Sequence, residues 1–207
     1  MKKTKESVQN ENSKNKILEV ATKLFAENGF DGVSTRTICK QANINISMIS
    51  YYFGGKQELY QAIIDNLTKN LTEYVKTFVD FDMDLNKLSK KEKLDFLYNY
   101  GNKMIDFLYT KISNDVLLFM FREQQNSRAQ INVPALNFMN KLFASILNKK
   151  ENDRQVILSV IFFISQINSP KLFSAFSLKM ANKKAFTEED IKIIRNNLKK
   201  YISVMFK

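Results

Sequence analysis

Ser34-Thr35-Arg36-Thr37-Ile38-Cys39-Lys40-Gln41-Ala42-Asn43-Ile44-Asn45-Ile46-Ser47-Met48-Ile49-Ser50-Tyr51-Tyr52-Phe53-Gly54-Gly55-Lys56 reads as two short helices joined by a tight turn, then a glycine break and a lysine. Ser34 or Thr35 suits the N-cap of the first helix, which is expected to run to about Gln41. Asn43 stands where the turn needs a left-handed backbone, a conformation that asparagine tolerates better than most residues. Asn45 can then cap a second helix from Ile46 to Phe53, which Gly54-Gly55 stop. Ile38, Ala42, Ile44 and Ile49 fall on the inward positions. Ser47, Ser50, Tyr51 and Tyr52 face outward. Hydroxyls and phenols both donate and accept, so they can meet phosphates or base edges, and a phenol ring can pack on a thymine methyl. Such a helix fits the major groove of duplex DNA.

Outward from this stretch, apolar residues recur at helical spacing almost throughout, and no tract shows the alternation of a half-buried strand. An all-α chain is therefore expected. Residues 1–12 are polar and aperiodic and read as a mobile arm. Ile17, Val20, Ala21, Leu24 and Phe25 mark one face of a helix starting near Ser13 and ending at Gly29. Lys56 opens a longer helix to about Phe78. Further helices are expected at 90–111, 113–126, 133–148, 153–167 and 187–206, with Pro134 in a first turn. Thr187-Glu188-Glu189-Asp190 is a strong start signal for the last of them. The expected division is a DNA-reading domain at 13–56 and a larger helical domain at 57–207.

Composition narrows the chemistry. The 207 residues carry a net charge of +11, which favours a polyanionic partner, nucleic acid or an anionic surface. The surplus is spread, +4 before residue 57 and +7 after it, so charge alone does not locate the partner's site. There is no histidine and one cysteine, so a transition-metal site, an intrachain disulfide and the commonest acid–base catalyst are all disfavoured. No Gly-rich phosphate loop or nucleophile elbow occurs, and no catalytic residue, metal ligand or cofactor is assigned. The lone Cys39 sits beside inward Ile38 and reads as a small buried thiol in a reducing cytoplasm. The basic N-terminus has no apolar stretch after it, and the greasiest run, Val156 to Ile167, is too short to span a bilayer, so no membrane role is expected.

With the helices placed this way, the N-terminal quarter resembles the TetR family of bacterial transcriptional repressors. The residues that carry the resemblance are Ile17 through Phe30, Ser34 to Ile38, Ile49 to Phe53, and Lys56-Gln57-Glu58-Leu59-Tyr60. The family usually has Gly where Asn43 stands and often Tyr where Ser50 stands. The first change keeps the backbone; the second removes a usual DNA contact. Phe121-Arg122-Glu123-Gln124-Gln125-Asn126 resembles a segment of the CecR-like subset. The resemblance implies DNA contacts from Thr35, Arg36, Asn45, Ile46, Ser47, Met48, Ser50, Tyr51, Tyr52 and Lys56. Arg36 would face the duplex and Lys56 a phosphate.

The resemblance also implies a homodimer, two reading heads on a roughly palindromic operator, and release by a small-molecule effector. The larger domain holds 14 of the 17 phenylalanines, a composition suited to an apolar effector cavity. Phe107, Phe119, Arg122 and Glu123 are the candidate effector contacts. The dimer contact is expected on 153–167 and 187–206, with Phe162 and Ile194 as positions where a charge would break it. The competing reading is a cationic helical protein that binds a membrane surface or an acidic protein without reading DNA sequence.

Overall fold

In the computed structural model, residues 5–126 and 133–206 are described, with side chains for 10–123 and 133–206. They form ten α-helices: Lys5–Asn28 (α1), Thr35–Ala42 (α2), Ser47–Phe53 (α3), Lys56–Lys76 (α4), Lys90–Lys111 (α5), Asn114–Asn126 (α6), Pro134–Leu147 (α7), Arg154–Leu172 (α8), Ser174–Met180 (α9) and Glu188–Met205 (α10). No strand occurs among the described residues. The chain divides into two compact units, Met1–Glu73 with Asn114–Asn132, and Tyr74–Ser113 with Val133–Lys207.

The first unit packs around Ile17, Ala21, Leu24 and Phe25 of α1, Ile38 of α2, Ile49 of α3 and Leu59, Tyr60, Ile63 and Ile64 of α4. Burial of these apolar faces against one another is what holds such short helices, since α2 and α3 are too brief to be stable alone. The unit is larger than the 13–56 span expected from sequence. It takes in most of α4 and all of α6, whose Phe119 fills the same core and whose contact with α1 is extensive. Of the expected arm, residues 5–12 continue α1 outward rather than standing apart from it. Residues 1–4 of that arm lie outside the described residues.

In the second unit, α5 packs against α7, α8 and α10. Leu97, Ile105, Met139, Leu142, Phe143, Val160, Phe163 and Leu198 are buried there. Gly101 lets these helices close on one another: a Cβ at this position would stand 2.5 Å from Leu198 Cδ2 and 3.1 Å from Phe163 Cζ. The helix ends are capped as physical chemistry requires. Ser89 and Glu92 form a capping box on α5, and Thr187 and Asp190 form another on α10. Lys171, almost wholly buried, donates from Nζ to the carbonyl of Leu108 at 2.7 Å and to that of Ile112, so a cation closes the C-terminal end of α5.

Two expectations in this unit need correction. The eighth helix does not stop at 167 but runs to Leu172 through Pro170. A proline this late in a helix breaks little, and Ser169 Oγ donates to the Ser165 carbonyl at 2.5 Å. A further short helix, α9, follows at an angle of 64° to α8. Ile194 is only 8% exposed, because α10 turns it, Leu198 and Ile202 toward its own chain. The outward apolar residues are instead Ile157, Leu158, Ile161 and Phe162 on α8, and Ile193 and Val204 on α10. Among the described residues no single helix is long and apolar enough to cross a membrane.

Candidate DNA-reading interface

The two reading helices are set by three local devices. Ser34 Oγ accepts from the Thr37 N–H at 3.0 Å and caps α2. Asn43 adopts φ 52°, ψ 52°, and the Ile44 N–H donates back to the Cys39 carbonyl at 3.0 Å. Asn45 Oδ1 then accepts from both the backbone N–H and the hydroxyl of Ser47, at 3.0 and 2.9 Å. The left-handed asparagine turns the chain, and the second asparagine closes a local turn onto Ser47; the N-cap expected at Asn45 falls instead on Ile46, which makes no side-chain cap bond, and α3 starts at Ser47. The thiol of Cys39, 3% exposed, is pushed up in pKa by burial, which suits a packing residue and not a reactive one.

The outward strip is Ile46, just before α3, with Ser47, Ser50 and Tyr51 on it, Tyr51 being 72% exposed. Ile49 is buried, and Met48, Tyr52 and Phe53 are partly buried against the core. Three expected contacts therefore differ in character from the rest. Met48 rests on the core. Tyr52 lays its ring there while its hydroxyl donates to Asn10 Oδ1 at 3.0 Å. Ser47 already spends its hydroxyl proton on Asn45, which leaves it an acceptor toward a base. On α2, Thr35 is half-buried and Arg36 is exposed. Thr37 and Lys40, not singled out from the sequence, are exposed on the same helix. The signal was present, since Arg36 and Lys40 stand four apart and share a face.

Lys56 is the first residue of α4, and its Nζ lies 4.1 Å from the Phe30 ring centroid. Gly54, at φ 97°, ends α3 with its N–H donating to the Ser50 carbonyl at 3.0 Å, and so brings α4 in directly behind the reading helix. A cation and a helix N-terminus are both positive, so they repel each other and jointly favour an anion. Glu58, in the same first turn, lies against Gly54 and Gly55 and supplies part of that negative charge locally. An α3 strip of hydroxyls and one exposed phenol, with Arg36 and Lys40 on α2 and Lys56 on α4, is suited to base edges between flanking phosphates.

A family model described as bacterial regulatory proteins, tetR family, matches residues 17–63. The probable HTH-type transcriptional regulator YttP of Bacillus subtilis (strain 168) is 30% identical over 162 residues, covering 76% of this chain and 74% of the relative. The chain belongs to the TetR family. The HTH-type transcriptional dual regulator CecR of Shigella flexneri is 24% identical over 209 residues, 96% of this chain and 93% of that one. The fold is that of a crystal structure of AibR in complex with isovaleryl coenzyme A and operator DNA, at TM-score 0.56 and 14% identity, covering 94% and 98% of the two chains. As a TetR-family member the protein is a helix-turn-helix DNA-binding regulator of transcription, and the family is regulatory in kind.

The four candidate effector contacts do not form one site within either unit. Phe119 is 1% exposed and packs its ring against Tyr60 at 5.1 Å. Glu123 is fully buried and accepts from the Tyr60 hydroxyl. Arg122 Nη2 donates to the Glu27 carbonyl at 3.2 Å. All three belong to the unit that carries the reading helices, whereas Phe107 stacks on Tyr74 at 4.5 Å in the other unit. Side chains 124–126 of the CecR-like segment lie outside the described residues.

Proposed function

We propose that this protein is a repressor that binds a roughly palindromic operator as a homodimer and leaves it when a small molecule occupies the second unit. The observation that carries the reading is the α2–α3 geometry: a capped turn on Asn43 and Asn45 presenting Ser47, Ser50 and Tyr51 beside Arg36 and Lys56. A single head of seven helical residues offers few base contacts. Two heads on a twofold axis gain affinity through effective concentration. The exposed apolar residues of α8 and α10 support such a pairing, since aligned stripes of this kind call for cover. That AibR, of the same fold, is found in complex with isovaleryl coenzyme A and operator DNA supports a ligand-responsive regulator, and half-buried Phe107 is a candidate wall residue in the second unit here.

A salt titration of binding to genomic DNA fragments, with excess competitor DNA, tests the reading. The protein is expected to retain a few fragments at salt that strips it from competitor. Uniform loss of all fragments together would support the alternative, a general cationic binder.

A further inference from the structure

Adjacent residues of α6 hold the surroundings of Phe30, the ring beneath Lys56: Glu123 through Tyr60, and Arg122 through the chain just before it. On one side, Glu123 Oε2 accepts from the Tyr60 hydroxyl at 2.5 Å, and the Tyr60 ring meets Phe30 edge-on at 5.0 Å and 84°. On the other, the Arg122 guanidinium holds the Glu27 carbonyl near the end of α1 and stands against Gly29, where a Cβ would lie 3.6 Å from Nη1. Gly29 directly precedes Phe30 in the chain. Phe25 completes the packing, 5.8 Å from Phe30 and 5.0 Å from Tyr60. We propose that Tyr60 and Glu123 are positioning residues for DNA binding: they hold Phe30, and through it the Lys56 ammonium, at the phosphate backbone.

The physical basis is over-determination. A lysine side chain is flexible and loses rotamer freedom when it is held in place. Phe30 can restrict the ammonium only if the ring itself is fixed, since the attraction depends on the cation standing over the ring face. Tyr60 fixes the ring edge-on. Glu123 in turn fixes Tyr60: the bond lies at the short end of the O–H···O range, and its acceptor is fully buried. Removal of the phenol hydroxyl takes a donor from a buried carboxyl oxygen, and the pair is then free to shift. The cost falls on DNA contact rather than on folding alone, because the relay ends at a half-buried cation on the first residue of α4 and not in the core.

This inference rests on the DNA-reading function, and the test separates the two. Binding to the fragment most enriched from the organism's genome is measured across a salt series for wild type, Tyr60→Phe, Glu123→Gln, Lys56→Ala and the double variant Tyr60→Phe/Lys56→Ala. Tyr60→Phe keeps the ring and is expected to weaken binding about 3–10-fold, with a log–log salt slope shallower by up to about 0.9, one phosphate's worth. Glu123→Gln keeps an acceptor for the phenol and should retain most of the affinity. In the Lys56→Ala background, Tyr60→Phe should have no further effect, as expected of residues that act as one unit. A Tyr60→Phe protein with wild-type affinity and slope, or one whose loss multiplies in full with that of Lys56→Ala, would overturn the relay. A wild type that enriches no fragment overturns the DNA-reading function and the relay together.

Discussion

Replacing Phe162 by glutamate should convert a dimer into monomers. The ring is 58% exposed on α8 and lines a shallow groove with Lys200, Tyr201, Val204 and Met205 of α10. A phenylalanine buries about 150–250 Å², so roughly 100 Å² of this ring awaits cover. At about 25 cal/mol per Å², that cover is worth about 2.5 kcal/mol. A twofold contact uses each residue twice, so the loss is about 5 kcal/mol, or between about 10³- and 10⁴-fold in the dimer Kd. Burial of two carboxylates adds to it. Because the position is open on the single chain, the monomer should keep its helix content and most of its melting temperature. Ile194, which the sequence offers equally, is a poor choice: it is covered by its own chain, so a charge there attacks the fold itself. Sedimentation equilibrium over a concentration series reads the constant directly. A Phe162→Glu protein that stays dimeric within about tenfold of wild type would refute the placement of the interface on α8 and α10.

Tyr51→Ala should alter which bases the protein prefers, at a cost of about 1–3 kcal/mol for the best site, read by selection from a randomised operator library. Ser47→Ala should shift preference less and instead loosen the start of α3, since that hydroxyl is already held by Asn45; an equal shift in both variants would remove this distinction. Gly101→Ala forces a methyl against Leu198 and Phe163 and should cost about 1–3 kcal/mol, seen as a lower midpoint in urea, while an unchanged midpoint would mean the helices part freely. Lys183, with help from the Thr187 N–H and hydroxyl, holds the Asp190 carboxyl down to about 2. A folded value below the ordinary aspartate value of about 3.9 stabilises above that pH and is lost as pH falls toward 2. The gap in melting temperature between wild type and Asp190→Asn should therefore close between about pH 4 and pH 2; a constant gap would assign it to the cap geometry alone.

The parts of this architecture that were legible from the sequence are those with local causes. Asn43 and Asn45 announce the turn because few side chains can do their work there, and Thr187-Glu188-Glu189-Asp190 announces α10 because caps and acids gather at helix starts. The start of α1 was missed because hydrophobic periodicity cannot register a helix whose stretch ahead of Ile17 is polar, Asn10 to Lys16 being largely exposed. The helix α9 was missed because seven residues, Ser174–Met180, are too few for a helical period to register. The deeper failure concerns tertiary placement. Glu123 and Lys171 carry charge-bearing groups that a sequence assigns to the surface, yet the fold buries both, one against Tyr60 and one at the end of α5. Nothing local to residues 114–126 reveals that α6 packs with the reading helices, so Phe119, Arg122 and Glu123 were expected beside a ligand. In the structure they belong to the unit that holds α2 and α3, with Phe119 in its core.

Two-headed reading of DNA sequence is tested most directly by a footprint of the wild-type protein on its most enriched genomic fragment. Protection is expected to have dyad symmetry, two half-sites in successive major grooves about 10 base pairs apart, and both halves should be lost together in Phe162→Glu. Protection of a single half-site, or a footprint without symmetry that persists in the monomeric variant, would contradict it.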